Sequence, residues 1–419
     1  MFVLRFGIRS VFPAYRLSLQ PGLTPEGRGE ARHTSRAMSQ PEGSPTTTRA
    51  AIPRVLVLIK GLGPGGAERL VTLHARLRDE NAYECHVAYL LAWKDAFVEE
   101  LRSTGVSVTC LGARSSWDVR WVARLRALVR ARQIDVVHAH SPLAAIGARL
   151  AARTIRARRR PRVVTTEHNV WDSHAPLTAR MNRWTARLDD ARLAVSEAVR
   201  TSMPDPLRRR TEVVLHGVDV EATRAAADRD GVRAELGIAP DEHMVVTVAN
   251  LRATKGYPDL LDAARRVVAE HPSARFVAVG QGPMEAEIRA RHAELALGRS
   301  FLILGYRPDA ARIVSAADIF CLASHHEGVP LAMMEALVLG IPVVATDVGG
   351  VHELVEHGRE ALLVPPRDPG ALAGALLSLL ADDERRTAIA AAATARGDHL
   401  GVENAVRRTE AVYAAVRRR

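Results

Sequence analysis

Short apolar runs alternate with amphipathic stretches of helical period along almost the whole chain. In the first half this pattern predicts strands at 54–59, 85–91, 106–111, 136–139, 163–166, 193–195 and 212–215. Helical patterns lie between them, for example at 67–78 and 119–132. Such alternation implies a parallel sheet covered by helices. The polar, Arg/Asp-rich stretch 219–233 reads as a connector, after which the pattern restarts. Strands are predicted at 244–249, 274–279, 301–304, 319–322, 342–346 and 361–364, with helices at 258–270, 284–297, 331–339 and 371–380. The fold class that follows is α/β, with two doubly wound Rossmann-like domains facing across a cleft. Their expected bounds are 53–220 and 221–400, and ligands bind such sheets at the carboxyl ends of the strands. Residues 1–52 are expected to be a disordered or mistranslated extension, with Met38 as a later start. The segment 401–419 is a basic helix expected either to cap the second domain or to cross back to the first.

One passage carries the sharpest chemistry. His326-Glu327-Gly328-Val329-Pro330-Leu331 leads into an apolar stretch containing Glu335, then Gly340 and the buried run Pro342-Val343-Val344-Ala345. It reads as loop, helix and parallel strand, with Pro330 as the first helical residue, where its missing N–H is harmless. Two carboxylates therefore flank a helix N-terminus, one just before it and one about a turn inside. The free N–H groups of that terminus favour a phosphorylated ligand, and the carboxylates favour hydroxyls. A nucleotide sugar satisfies both.

Composition narrows the class. The chain is 47% apolar and 25% charged, which suits a soluble globular protein. No apolar run reaches transmembrane length. Its three cysteines are far apart and show no metal-ligand spacing, as in a reducing compartment. Of the net charge of +11, residues 1–50 supply seven Arg against three Glu. A second basic cluster runs from Arg153 through Arg156, Arg158, Arg159 and Arg160 to Arg162. No aromatics interleave with it, which argues against a single-strand stacking platform. A solvated loop or contact with an anionic membrane surface is left. Of 58 basic residues only Lys60, Lys94 and Lys255 are lysine, so each draws attention.

Several strand ends carry further candidates. Gly61-Leu62-Gly63-Pro64-Gly65-Gly66 matches G-x-G-x-x-G, but strand two ends without the carboxylate a dinucleotide site needs. The glycines still let backbone N–H groups approach a bulky group such as a diphosphate. Asn250-Leu251-Arg252-Ala253-Thr254-Lys255-Gly256 sets two cations at a strand end, suited to a leaving diphosphate. His138-x-His140 lacks a third zinc ligand, so no metal is expected. His168 closes another strand in Thr165-Thr166-Glu167-His168-Asn169.

Together these residues resemble the retaining glycosyltransferases of family 4, which have the GT-B fold. The likeness covers roughly residues 53–415 and is most specific at Glu327-x7-Glu335 with its Gly-Val-Pro-Leu insert. Gly65-Gly66-Ala67-Glu68, Glu167-His168-Asn169, Gly217-Val218-Asp219, Lys255-Gly256, Gly280-x-Gly282-Pro283 and Gly305-Tyr306 support it. The resemblance implies that Glu335 binds the ribose, while Glu327 and the backbone of Gly328, Val329, Pro330 and Leu331 hold sugar and diphosphate. It implies that Lys255 and Arg252 stabilise the departing diphosphate in place of a metal ion. Gly65 and Gly66 would admit the donor and His168 would face its sugar. Asn250 and Gly282 would line the donor site, with Tyr306 near the base. Many members carry Arg at the position of Asn250, so Arg252 supplies the charge from a different angle; His216 stands where Asn is common.

The expected activity is transfer of a sugar from a nucleotide diphosphate donor to a glycan, lipid-linked or small-molecule acceptor, with retention and without a cofactor. Cell-surface polysaccharide or glycolipid synthesis is the expected setting. An epimerase or phosphorylase on the same fold, or a non-catalytic relative, is the alternative. The expected location is cytoplasmic or peripheral on the inner face of the membrane, with no nucleic-acid partner.

Overall fold

The computed structural model describes residues 52–115 and 118–417, so the expected N-terminal extension lies outside the described residues. The first sheet holds β1 (Arg54–Ile59), β2 (Glu84–Leu91), β3 (Ser107–Ala113), β4 (Val136–Ala139), β5 (Arg162–Glu167), β6 (Ala191–Ala194) and β7 (Thr211–Val213). The second holds β8 (His243–Val248), β9 (Ala274–Val279), β10 (Phe301–Gly305), β11 (Ile319–Leu322), β12 (Val343–Thr346) and β13 (Ala361–Val364). Their orders are β3-β2-β1-β4-β5-β6-β7 and β10-β9-β8-β11-β12-β13, parallel throughout. In each sheet the order reverses beside the first strand, at β1/β4 and β8/β11. Crevices for ligands open at such points, outside the carboxyl ends of the strands.

The strands form where they do because their residues are apolar on both faces: every residue of β4, β11 and β12 is buried. Element ends differ from the sequence pattern by up to a few residues. A larger difference lies in the stretch read as a connector. It contains two helices, Val220–Ala225 and Arg229–Leu236, each capped at its start by an aspartate (Asp219 and Asp228). Gly237 ends the second in the left-handed region, φ 65°. Val232 is fully buried there, and Arg233 donates to the carbonyls of Ala239 and Glu242, so the stretch is structural.

The chain passes between the two sheets twice, side by side. Val218 donates its N–H to the Leu400 carbonyl at 2.9 Å, and Val402 donates back to Val218 at 3.1 Å. A Cβ on Gly217 would overlap the backbone of Leu400 and Gly401, so only glycine fits. The last helix, Glu403–Arg417, then buries Ala405, Tyr413 and Val416 against the core of the first sheet.

A buried polar network fixes the β5–β6 side of the first sheet. Arg149, on the Pro142–Arg153 helix, has a fully buried side chain that grips Asp189 with two bonds of 2.6 and 2.8 Å. It also reaches Asn182 and Thr185 of the Pro176–Thr185 helix. Asn182 in turn donates to Glu167 at 2.8 Å, at the end of β5 and one residue before His168. Removing one member of a buried charged pair typically costs about 3–5 kcal/mol. Arg149→Met should therefore lower the denaturant midpoint strongly at unchanged slope; a midpoint equal to wild type would mean the network carries no stability.

Candidate active site

The second-domain wall is built from two loops that glycines allow to meet. After β8, Arg252 precedes the short turn Ala253–Lys255, and Gly256 follows in the left-handed region at φ 62°. A Cβ there would overlap the Ala323 carbonyl of the loop after β11. That close approach brings the Lys255 ammonium to 2.6 Å from Glu327 Oε1. Ser324, fully buried, donates to the same oxygen at 2.5 Å. Gly349, at φ 55°, packs so tightly on the Glu327 carbonyl that no side chain fits, and Gly350 donates its N–H to the Gly328 carbonyl at 3.0 Å. Glu327 is thus a buried carboxylate with a fixed cation, as burial of a charge requires.

The helix after this loop spans Leu331–Val338, and Pro330 is its cap in extended backbone rather than its first residue. Glu335 lies one turn in, where burial pushes its carboxyl up to about 7 against the pull of Arg69. Gly282 packs beneath the Leu251 carbonyl and so supports the Lys255 loop. Tyr306 follows the edge strand β10 and is exposed.

The first-domain wall faces these loops. The Asn250 amide donates to the Pro64 carbonyl in the glycine-rich loop at 3.2 Å. Gly66 opens the Gly66–Leu77 helix and sits against Leu331, where a Cβ would find Leu331 at 3.8 Å. Leu331 and Val329 also pack into apolar clusters that involve first-domain residues. Gly65 abuts the Glu68 carboxylate. Gly328 lies so close to the His168 carbonyl that any Cβ would overlap it. Exposed Arg252 acts across the cleft on Glu68 and Lys94, helping to lower the lysine's affinity for its proton. Burial is the larger cause, and Lys60 adds to it. All three lysines of the chain therefore attend the cleft. Only Lys255 stood out in a motif, although the rarity of lysine marked the other two.

Family models match both halves of the chain. "Glycosyltransferase Family 4" matches residues 64–222, and "Glycosyl transferases group 1" matches residues 228–396. The chain belongs to the family 4 glycosyltransferases. Its fold is GT-B, and it is an enzyme that uses a nucleotide sugar. The putative glycosyltransferase EpsD of Bacillus subtilis (strain 168) is 26% identical over 310 residues, 70% of this chain and 78% of that one. An Escherichia coli UDP-Gal:alpha-D-GlcNAc-diphosphoundecaprenol alpha-1,3-galactosyltransferase is 26% identical over 307 residues, 69% of this chain and 77% of that one. The crystal structure of Anabaena Alr3699/HepE in complex with UDP and glucose superposes with a TM-score of 0.76 at 22% identity, over 87% of this chain and 100% of that one.

Beneath the cleft the glycosyltransferase holds a feature the sequence pattern did not reveal, a run of five imidazoles. His74 comes from the Gly66–Leu77 helix, His138 and His140 from β4 and its end, His168 from the loop after β5 and His216 from the loop after β7. Neighbouring ring centres lie 4.1 Å apart for His138 and His140, 5.3 Å for His140 and His168, and 5.8 Å for the stacked His168 and His216. His74 meets His216 edge-on at 5.5 Å. His138 bonds Tyr413 of the last helix and Thr166, at 2.6 and 2.7 Å. His140 bonds His168 at 3.0 Å, while both ring nitrogens of His216 are buried without a partner. Among the described residues, no group of three or more potential ligands is arranged to hold a metal ion.

Burial holds all five rings below the usual histidine range: His74 at about 4, His168 at about 3, and the others well below the ordinary value. The folded state therefore refuses protons that the unfolded chain accepts near 6.5. The stabilisation is complete above that value and is lost as pH falls from about 6.5 towards about 4. Each excluded proton contributes a slope of roughly 1.4 kcal/mol per pH unit in that window. The melting temperature should fall steeply between pH 7 and pH 5, and His216→Phe should flatten the fall. An unchanged melting temperature across that range would rule out the neutral cluster.

Proposed function

We propose that this glycosyltransferase moves a hexose or related sugar from a nucleotide diphosphate donor to a glycan or lipid-linked acceptor, with retention at the anomeric carbon. The observation that carries the reading is the Lys255–Glu327 pair at the cleft, opposite the glycine-rich loop. In this reading Glu327 and the Gly328–Leu331 backbone hold sugar and diphosphate, and Glu335 accepts from the ribose hydroxyls. The carbon–oxygen bond to the diphosphate breaks while the acceptor oxygen bonds to the same carbon from the same face. The acceptor proton passes to the departing phosphate oxygen, and Lys255 with Arg252 takes up the charge that a metal would otherwise neutralise. In this reading neither Glu327 nor Glu335 acts as a nucleophile. Support for a uridine donor comes from the Anabaena structure, which holds UDP and glucose, and support for a lipid-linked acceptor from the name of the E. coli relative. Among the described residues no helix is long and apolar enough to cross a membrane. A nucleotide donor and a lipid-linked acceptor meet at the cytoplasmic face of a membrane, and a peripheral place there belongs to the proposal.

A thermal-shift panel of nucleotide sugars tests donor use directly, since bound ligand raises the melting point by mass action. Lys255→Ala should lower turnover on the order of 10²–10³-fold, the scale for losing one charge-stabilising group. Full turnover in folded Lys255→Ala would remove it from the chemistry. Sugar release without an acceptor, at the rate seen with one, would favour the phosphorylase or epimerase alternative.

Glu335 offers an independent check. Burial holds its carboxyl at about 7, so its ionised, hydroxyl-accepting form fills as pH rises through that value. Nucleotide affinity measured by calorimetry should strengthen from pH 6 to pH 8, and Glu335→Gln should bind more weakly with a flat profile. A wild-type profile without slope would take Glu335 off the ribose.

A further inference from the structure

One helix of the first domain is built inside out. Pro176–Thr185 turns its polar Asn182 and Thr185 inward, onto Arg149, and leaves its apolar residues outside. Leu177, Met181 and Trp184 are 51%, 42% and 67% exposed, at i, i+4 and i+7, so they form one stripe. The Pro142–Arg153 helix packs alongside and adds exposed Leu150.

The charge grouped around this stripe is all of one sign. Arg180, Arg183 and Arg187 are exposed on or just after the helix, and Arg187 stacks its guanidinium over Trp184 at 5.1 Å. Arg153, Arg156, Arg158, Arg159 and Arg160 are exposed at the foot of the neighbouring helix. Among the described residues, no carboxylate lies within ion-pair distance of any of these eight. Elsewhere Arg307 and Arg312 are matched by Glu235 and Asp309, while scattered exposed arginines such as Arg126, Arg130, Arg265 and Arg266 also lack an ion pair among the described residues. The eight here differ in being grouped beside an apolar stripe. A cavity of about 370 Å³, lined in part by Arg153, Arg158, Arg160 and Arg162, opens within the cluster.

We propose that this flank docks on an anionic lipid bilayer, with Leu177, Met181 and Trp184 inserted at the interface and the unpaired arginines against lipid phosphates. The inference deepens the reading of a membrane-held acceptor and rests on it for the purpose of docking. An apolar stripe beside uncompensated cations is the pattern of an interfacial helix, and tryptophan with arginine suits the headgroup level. Attraction of several basic residues to an anionic surface adds to the burial of three apolar anchors, which together suffice for reversible binding. A second copy of the chain fits poorly, because a two-fold contact would set like charges face to face. Both helices follow their strands, so they start at the carboxyl ends of β4 and β5, where the cleft lies. The Arg153–Arg160 cluster lies before β5, at the amino end of the sheet, so docking along the stripe lays this side of the first domain on the bilayer.

The test is flotation of the full chain with phosphatidylcholine vesicles, with and without phosphatidylglycerol. The anionic lipid should raise the bound fraction about tenfold or more, and added salt should reverse the gain. Leu177→Ser/Met181→Ser/Trp184→Ser should lower binding by about tenfold, and Arg180→Glu/Arg183→Glu should weaken the preference for anionic lipid. Absence of binding, equal binding to both vesicles, or binding untouched by these variants overturns the proposal. So does a concentration-dependent dimer that the serine variant dissolves, which would assign the stripe to a second copy. The nucleotide-sugar thermal shift, read on the same proteins, separates the two readings. A shift retained in variants that lose vesicle binding shows an intact donor site, and vesicle binding without any shift in wild type refutes the donor reading alone.

Discussion

The site depends on one constraint: a carboxylate taken out of water must be paired. Glu327 meets it through Lys255 and Ser324, both of which reach a single oxygen. Satisfying that requirement draws the loop after β8 onto the loop after β11. The approach is closer than a side chain permits, which is why Gly256 and Gly349 stand at the contacts. The pair also sets up an exchange. Lys255 serves Glu327 in the free protein, and in the proposed reading an arriving diphosphate would compete for the same ammonium. The Glu327 oxygen that Lys255 and Ser324 do not reach would, on the same reading, be left to accept from a sugar hydroxyl. The interaction that stabilises the empty loop is therefore the one a donor would reorganise.

The same logic of backbone approach joins the domains. Gly328 leans on the His168 carbonyl, and Glu353 of the second domain accepts from the N–H groups of Glu197 and Ala198 at 2.8 and 2.7 Å. That contact caps the start of a first-domain helix with a carboxylate from across the cleft, where helix polarity favours a negative group. The crossing at Gly217 and Val218 is narrow by comparison, two hydrogen bonds between adjacent strands of chain. These polar and glycine contacts act together with the apolar packing of Val329 and Leu331 against first-domain residues.

Much of the fold was legible because its signal is local. Parallel strands buried on both faces write unbroken apolar runs, and β1, β4, β9, β11 and β13 fall where those runs do. The Lys255 and Glu327 loops were legible because glycine, proline and charge cluster at strand ends. The 219–233 stretch reads as a connector although its capping aspartates are in the sequence, because charged helices of about two turns show little apolar period. Pro330 was placed one residue too far into its helix, a choice that capping geometry alone decides. The imidazole cluster was not legible. Its members are up to 142 positions apart, counted from His74 to His216, and only the order of the sheet brings β4, β5 and β7 ends together.

That cluster and the inverted helix are two consequences of one feature, a polar interior beneath the cleft of the first domain. Arg149, Asn182, Thr185 and Glu167 fill the space between two helices and β5 with hydrogen-bonded polar groups. The five neutral imidazoles fill the adjoining space between β4, β5, β7 and the last helix. Room that leucine would normally occupy is taken by side chains that hold His168 and Glu167 at fixed angles. Such networks specify geometry more than they stabilise, since each member must keep its partner. With polar groups committed to the inside, the apolar residues of Pro176–Thr185 have no core to enter and stand at the surface. Leu177, Met181 and Trp184 are exposed because the positions that would have buried them are used to build the site.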